Sequence, residues 1–209
     1  MAHIPDGVLS APVLISGGVV TAAAMGWSLR RLDDDSLPKV AVVAALFFVA
    51  SLINVAVGPT TVHLLLSGLM GMVIGWAAVP AVFIALVLQA VFFGFGGIGT
   101  LGVNTMNIAL PGVLWALVLA PVMRRMNSPA TLGLIAAAVA ALSVFTTAML
   151  VALVLALSDP AYVVTARVVL VTYIPLIIGE AVIVGFACSF LARVKPDIFW
   201  FVEKGTQHA

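Results

Sequence analysis

Apolar residues run almost without interruption along this chain, and the breaks between runs fall at charges, prolines and glycines. Seven runs are long enough to matter, near 10–29, 39–57, 62–78, 80–96, 108–123, 130–157 and 165–192. A helix of about 20 such residues crosses the hydrocarbon core of a bilayer. Backbone groups in lipid must be bonded within their own span, and no alternating ten-residue pattern points to a barrel. The pattern therefore predicts an all-α polytopic membrane protein with seven transmembrane helices. The third and fourth spans are separated only by Ala78-Val79-Pro80.

Composition supports this class. Of 209 residues, 64% are hydrophobic and 8% charged, against roughly 45–50% and 25% in soluble domains. The formal net charge of +1 supplies no clustered basic face for nucleic acid. One cysteine, Cys188, excludes an internal disulfide and a cysteine-rich metal site. The start, Met-Ala-His-Ile-Pro-Asp, lacks the basic region and cleavage site of a signal peptide, so it is expected to belong to the working protein. No ATP-binding loop of Walker type is present, which leaves energy to a partner or an ion gradient.

Basic residues set an expected orientation. Arg30, Arg31 and Lys39 follow the first span, Arg124 and Arg125 the fifth, and Arg193, Lys195 and Lys204 the seventh; only Arg167 falls at the other side. With seven spans, eight of the nine share one face, which the positive-inside rule makes cytoplasmic. The amino terminus is then outside and the carboxyl terminus inside. Residues 1–9 become an outer tail. The stretch 94–107, with five glycines, reads as an irregular capping loop buried against protein. The whole of 1–209 forms one transmembrane domain.

His208 lies near the cytoplasmic end and carries no expected role. His3 and His63 share the outer side, and two readings stand. They form a metal pair, or His63 is a helix-end histidine bonded to a carbonyl and His3 a tail residue. An amine, the peptide nitrogens that follow and an imidazole form fused chelate rings when histidine is second or third. With Met1 retained, the amine, the intervening amides and His3 complete a square plane; with Met1 removed, Ala2 starts the chain and His63 supplies the fourth nitrogen. Such planes suit Ni(II) and Cu(II).

Asp6 either orients the tail and fixes an imidazole tautomer or closes an Asp-Gly turn. Asn104 and Asn107 either pin the loop over the site or bond between helices; Asn54, Thr60, Thr61, Ser67 and Gln89 are further neutral polar groups of the outer half. Glu180, the one carboxylate inside a span, is expected near mid-membrane. It is either a protonated carboxyl bonded within the bundle or a proton or ion relay. Gly18, Ala22 and Gly26, and Gly71 with Gly75, form faces for close helix approach.

Three stretches carry a family likeness: His-Ile-Pro-Asp-Gly-Val-Leu-Ser at 3–10; Asn54 through Gly58 to His63-Leu64; and Gly-Gly-Ile-Gly-Thr-Leu-Gly-Val-Asn at 96–104 followed by Met106-Asn107. In these, and in order along the whole chain, the sequence resembles the substrate-binding membrane components of energy-coupling-factor transporters for nickel and cobalt, of the CbiM/NikM type. The resemblance implies that the amine and peptide nitrogens at Met1 and Ala2, with His3 and His63, bind the transported ion. It implies a component without catalytic residues or a resident cofactor, in a bacterial or archaeal cell membrane. Its implied partners are a transmembrane coupling component, ATPase subunits and a small accessory membrane subunit. The family typically begins Met-His, whereas Ala2 intervenes here. It often carries Asp before the paired glycines, where this chain has Phe95. The rival reading is a proton-coupled secondary transporter built on Glu180. An intramembrane metalloenzyme lacks its His-Glu-x-x-His motif.

Overall fold

A computed structural model describes residues 3–57 and 60–202. The elements in order are α1 (Ala11–Leu29), α2 (Leu37–Leu52), β1 (Asn54–Val57), β2 (Thr60–His63), α3 (Ser67–Ile74), α4 (Ala78–Phe93), α5 (Leu101–Met123), α6 (Pro129–Ser158) and α7 (Val163–Val194). Among the described residues, six helical stretches are long and apolar enough to cross a membrane; one of them, Ser67–Phe93, contains both α3 and α4. The protein is a multi-pass helical membrane protein, as the apolar runs predict.

Span boundaries need correction at three places. The second run was expected to continue to 57 and the third to begin at 62. Instead the helix stops at Leu52, and an antiparallel hairpin pairs Asn54 with His63 through Val57 with Thr60. Gly58-Pro59 stands between two β-branched runs, and proline cannot sit inside a helix without losing a hydrogen bond. The fifth run was expected at 108 but α5 starts at Leu101, so only 94–100 of the expected 94–107 loop is irregular. Asn104 and Asn107 are helical residues, set in the first two turns of α5.

The third correction concerns the third crossing itself. The eight residues of α3 rise only about 12 Å against a core of about 30 Å. The chain enters along the irregular segment 64–66 and becomes helical only inside the bundle. At Gly75 (φ 53°) it reverses into α4. The reversal is visible in the neighbours: His63, which precedes α3, stacks on His3, and so does Phe95, which follows α4. Irregular backbone at this depth survives only where protein encloses it, and every residue of α3 is buried.

Glycine lets α3 lie directly against α5. A Cβ on Gly71 would sit 2.1 Å from the Gly112 carbonyl oxygen, and one on Gly112 would sit 2.0 Å from that of Ser67. Likewise a Cβ on Gly102 of α5 would meet Gly18 of α1 at 2.7 Å. The expected small-residue faces therefore serve internal packing at Gly18 and Gly71. Gly26 faces open space.

The two ends of the bundle differ. One holds His3, His63 and the 94–100 loop. The other holds Arg30, Arg31, Arg124 and Arg125, and the residues after α7 fold beneath it. There Trp200 donates from Nε1 to the Gly71 carbonyl (2.8 Å) and Arg124 Nε donates to the Phe201 carbonyl (3.1 Å). A cavity of about 570 Å³ opens at this arginine end, lined among others by Arg31, Trp76, Lys195 and Trp200.

Candidate metal centre

The tail is held in place by its backbone. Asn104 projects from the first turn of α5 and pairs with both peptide groups of Ile4. The Ile4 N–H donates to Asn104 Oδ1 (3.0 Å), while Asn104 Nδ2 donates to the Ile4 carbonyl (3.0 Å). The Thr100 hydroxyl donates to the same carbonyl (2.8 Å). One step further on, Asp6 Oδ1 accepts from the Thr100 N–H (3.1 Å). Gly97 lies so close to this carboxylate that a Cβ there would be 2.1 Å from Asp6 Cγ. Gly96 takes a positive φ of 73°, and a Cβ on it would come within 3.5 Å of His3 Cβ. The glycines thus let the loop wrap the tail at backbone distance.

This fixes His3, which is 5% exposed, beside His63, which is 3% exposed. Their rings stack with centroids 4.7 Å apart and planes 18° from parallel. Phe95 extends the stack on the far side of His3, with centroids 6.4 Å apart. Phe95 replaces a polar residue frequent in the resembled family, and here it screens the histidines from water.

The His63 Nδ1 lies 3.0 Å from the Leu64 carbonyl oxygen. A carbonyl only accepts, so Nδ1 carries the proton and Nε2 keeps its lone pair. That Nε2 is buried with no hydrogen-bond partner, and so is the Nε2 of His3. Burial, reinforced by the neighbouring His63, pushes the His3 pKa down to about 3. Burial lowers that of His63 as well. Both rings are therefore neutral near pH 7, the form that binds metals. Two orphaned imidazole nitrogens in one enclosed place are costly unless something with an empty orbital or a proton arrives. Among the described residues no three of His, Cys, Asp and Glu come together, so any further ligands must be of another kind. Met1 and Ala2 lie outside the described residues, as do Lys204 and His208. Nothing is described of the side chains of Asn54, Thr60 and Thr61.

Other expected residues fall elsewhere. Asp6 bonds the loop backbone, as just described. Asn107 is completely buried one turn below Asn104 and makes no bond through either amide atom; it does not pin the loop. Glu180 is buried on α7, and its Oε1 accepts from the N–H groups of Leu65 and Leu66, the latter at 2.8 Å. It caps α3, whose entry residue Leu66 has a left-handed φ of 50°. Sequence reading gave no role to Thr100, though it stands in the 96–104 motif; two of its bonds tie the loop to the tail and a third reaches the Gly97 carbonyl within the loop. It also missed Thr21, whose hydroxyl donates to the Gly102 carbonyl (2.6 Å) and ties α1 to α5.

Fold and site together define a multi-pass membrane protein with a paired-imidazole centre enclosed at one end. Residues 3–198 match the model of the CbiM family, described as the cobalt uptake substrate-specific transmembrane region, and the chain belongs to that family. It is 50% identical over 102 residues to a putative metal transport protein of Haemophilus influenzae, covering 49% of this chain and 50% of that one. It is 43% identical over 114 residues to the fused nickel transport protein NikMN of Rhodobacter capsulatus, covering 52% of this chain and 33% of that one. A putative cobalt transport protein, CbiM 1 of Methanocorpusculum labreanum, is 33% identical over 204 residues, covering 91% and 84%. The matches to the first two thus span half or less of those relatives' lengths. A crystal structure of a truncated transition metal transporter superposes with a TM-score of 0.72 at 26% identity, covering 91% of this chain and 98% of that one.

Proposed function

We propose that this chain captures Ni(II) or Co(II) for uptake, as the substrate-specific component of an energy-coupling-factor transporter. The observation that carries the reading is the pair of buried, neutral, stacked histidines, with the Nε2 of His63 left without a partner. His63 offers Nε2, and His3 is held against it by the Asn104–Ile4 clamp. The amine and peptide nitrogens at Met1 and Ala2 complete the ligand set, with His3 closing the chelate through its Nδ1. An all-nitrogen set favours Ni(II) and Co(II) over Mg(II) and Ca(II), which prefer oxygen. The names of the nickel and cobalt transport relatives support the same cargo. The histidine end faces outside, because the arginines crowd the opposite end. The 94–100 loop caps the loaded tail. A transmembrane coupling component and ATPase subunits supply the movement that releases the ion inward, with a small accessory membrane subunit assisting; the chain itself performs no catalysis.

The test is a visible absorption titration of the purified chain, its amino terminus free of added residues, with Ni(II). A band saturating at one equivalent and lost in His3→Ala is expected. Unchanged affinity in His3→Ala would overturn the site. Uptake by this chain alone in liposomes, driven by a pH gradient, would instead establish the proton-coupled rival built on Glu180.

A further inference from the structure

Among the described residues, four buried hydroxyl and amide side chains inside the bundle have no hydrogen-bond partner: Ser67, Asn107, Thr147 and Tyr173, each no more than 1% exposed. They stand on α3, α5, α6 and α7, and the registers of these helices put them at neighbouring levels of the bundle. The Ser143 hydroxyl lies 3.4 Å from the Pro111 carbonyl oxygen. One turn from this contact toward the histidine end, antiparallel α5 and α6 bring Asn107 opposite Thr147. The close approaches of Gly133 to Ser189 and of Gly185 to Ala137 set α6 against α7. Followed along both helices, that register puts Thr147 level with Pro175, and Tyr173 stands two residues nearer the histidine end. Ser67 sits a turn deeper, where its carbonyl touches Gly112, next to the Leu66 N–H that Glu180 holds.

The chemistry of these positions is unusual for their surroundings. On α6 the hydroxyls of Ser143, Thr146 and Ser158 all return to the carbonyl four residues back. Thr147 does not. Pro111 has no N–H to give to the carbonyl of Asn107, so the usual helical bond from four residues on is missing where the Asn107 side chain is also unpartnered. Several orphaned polar atoms in one layer of a membrane protein are expensive when dry. The layer lies directly inward of the histidines, because Asn104, which clamps the tail, precedes Asn107 by a single turn.

We infer that Asn107, Thr147 and Tyr173, with Ser67 one turn deeper, form an interior way-station that takes a partly hydrated divalent cation on its way from the histidine site toward the arginine end. Amide and hydroxyl oxygens are hard, neutral ligands that replace water around such an ion without holding it tightly. That is the opposite character to the nitrogen site above, and it suits passage rather than capture. The inference rests on the metal-uptake reading of the same chain.

Thr147→Val and Tyr173→Phe remove the polar atoms with little change of shape; Asn107→Leu is the stronger variant. In cells expressing the chain with its transporter partners, each is expected to lower radiolabelled nickel uptake about tenfold, the size of a lost bond to a charged group. The Ni(II) titration of each purified variant should remain at one equivalent with unchanged affinity. Unchanged uptake in Thr147→Val and Tyr173→Phe would overturn the way-station, and so would loss of the titration together with uptake. Absence of a nickel band in the parent chain would be the failure of the uptake reading itself, a separate result.

Discussion

Asn104 uses both ends of its amide to hold the peptide of Ile4, 100 residues away in sequence. The pairing copies one rung of a β-ladder with a side chain in place of a strand. It fixes the register of the tail, and with it the position of His3.

Truncating Asn104 to Ala leaves the N–H of a residue only 4% exposed without a partner. The cost is about 1–3 kcal/mol, so nickel affinity should drop roughly tenfold to a hundredfold, since about 1.4 kcal/mol is a factor of ten. The absorption titration reads this directly. An affinity equal to the parent's would show that the clamp is not needed to place His3.

Gly97→Ala tests the other anchor. The new methyl would occupy the space of the Asp6 carboxylate, forcing tail and loop apart. Weaker nickel binding is expected, with helix packing and thermal stability of the metal-free protein little changed. If affinity stays the same, the loop does not act as a cap.

Glu180 separates a structural role from a relay. Glu180→Leu strands the N–H groups of Leu65 and Leu66 inside the bundle and should lower stability by about 2–5 kcal/mol. Glu180→Gln keeps an acceptor oxygen and should recover much of that in a thermal melt. Should Glu180→Gln melt like the parent yet abolish uptake, the carboxyl would be a relay and not a cap.

The histidines make the metal-free protein acid-sensitive. The folded pKa of His3, about 3, lies below its ordinary value of 6.5, so between these values the unfolded chain binds more protons. The stability this group contributes is complete above pH 6.5 and drains away as pH falls toward 3, at up to about 1.4 kcal/mol per unit. The melting temperature of the metal-free protein should therefore fall from pH 7 to pH 5, and His3→Ala should flatten that slope. A slope equal in the variant and the parent would assign the acid sensitivity to other groups.

The helical scaffold was legible because lipid imposes one rule on every span: a long apolar run must become a helix. Where that rule lapses, reading failed. Residues 54–66 are apolar enough to pass as span ends, but the left-handed Leu66 that closes them is held by Glu180, more than 100 residues later. The site was half legible. His3, His63, Asp6 and Asn104 announce themselves by residue type and by a motif. Asn107 shares the type of Asn104, and only the helical start of α5 shows that it points into the bundle and away from the loop. Thr100 was missed because its partners in the tail, the Ile4 carbonyl and the Asp6 carboxylate, lie more than 90 residues away, which no local pattern encodes.

Finally, α3 connects two sets of attachments. Its entry is held by Glu180 and lies three residues from His63; near its exit Trp200 bonds the carbonyls of Gly71 and Met72. Eight helical residues make a stiff rod about 12 Å long. A pull on the residues after α7 would therefore act on a lever whose far arm ends three residues from His63, bypassing the longer helices.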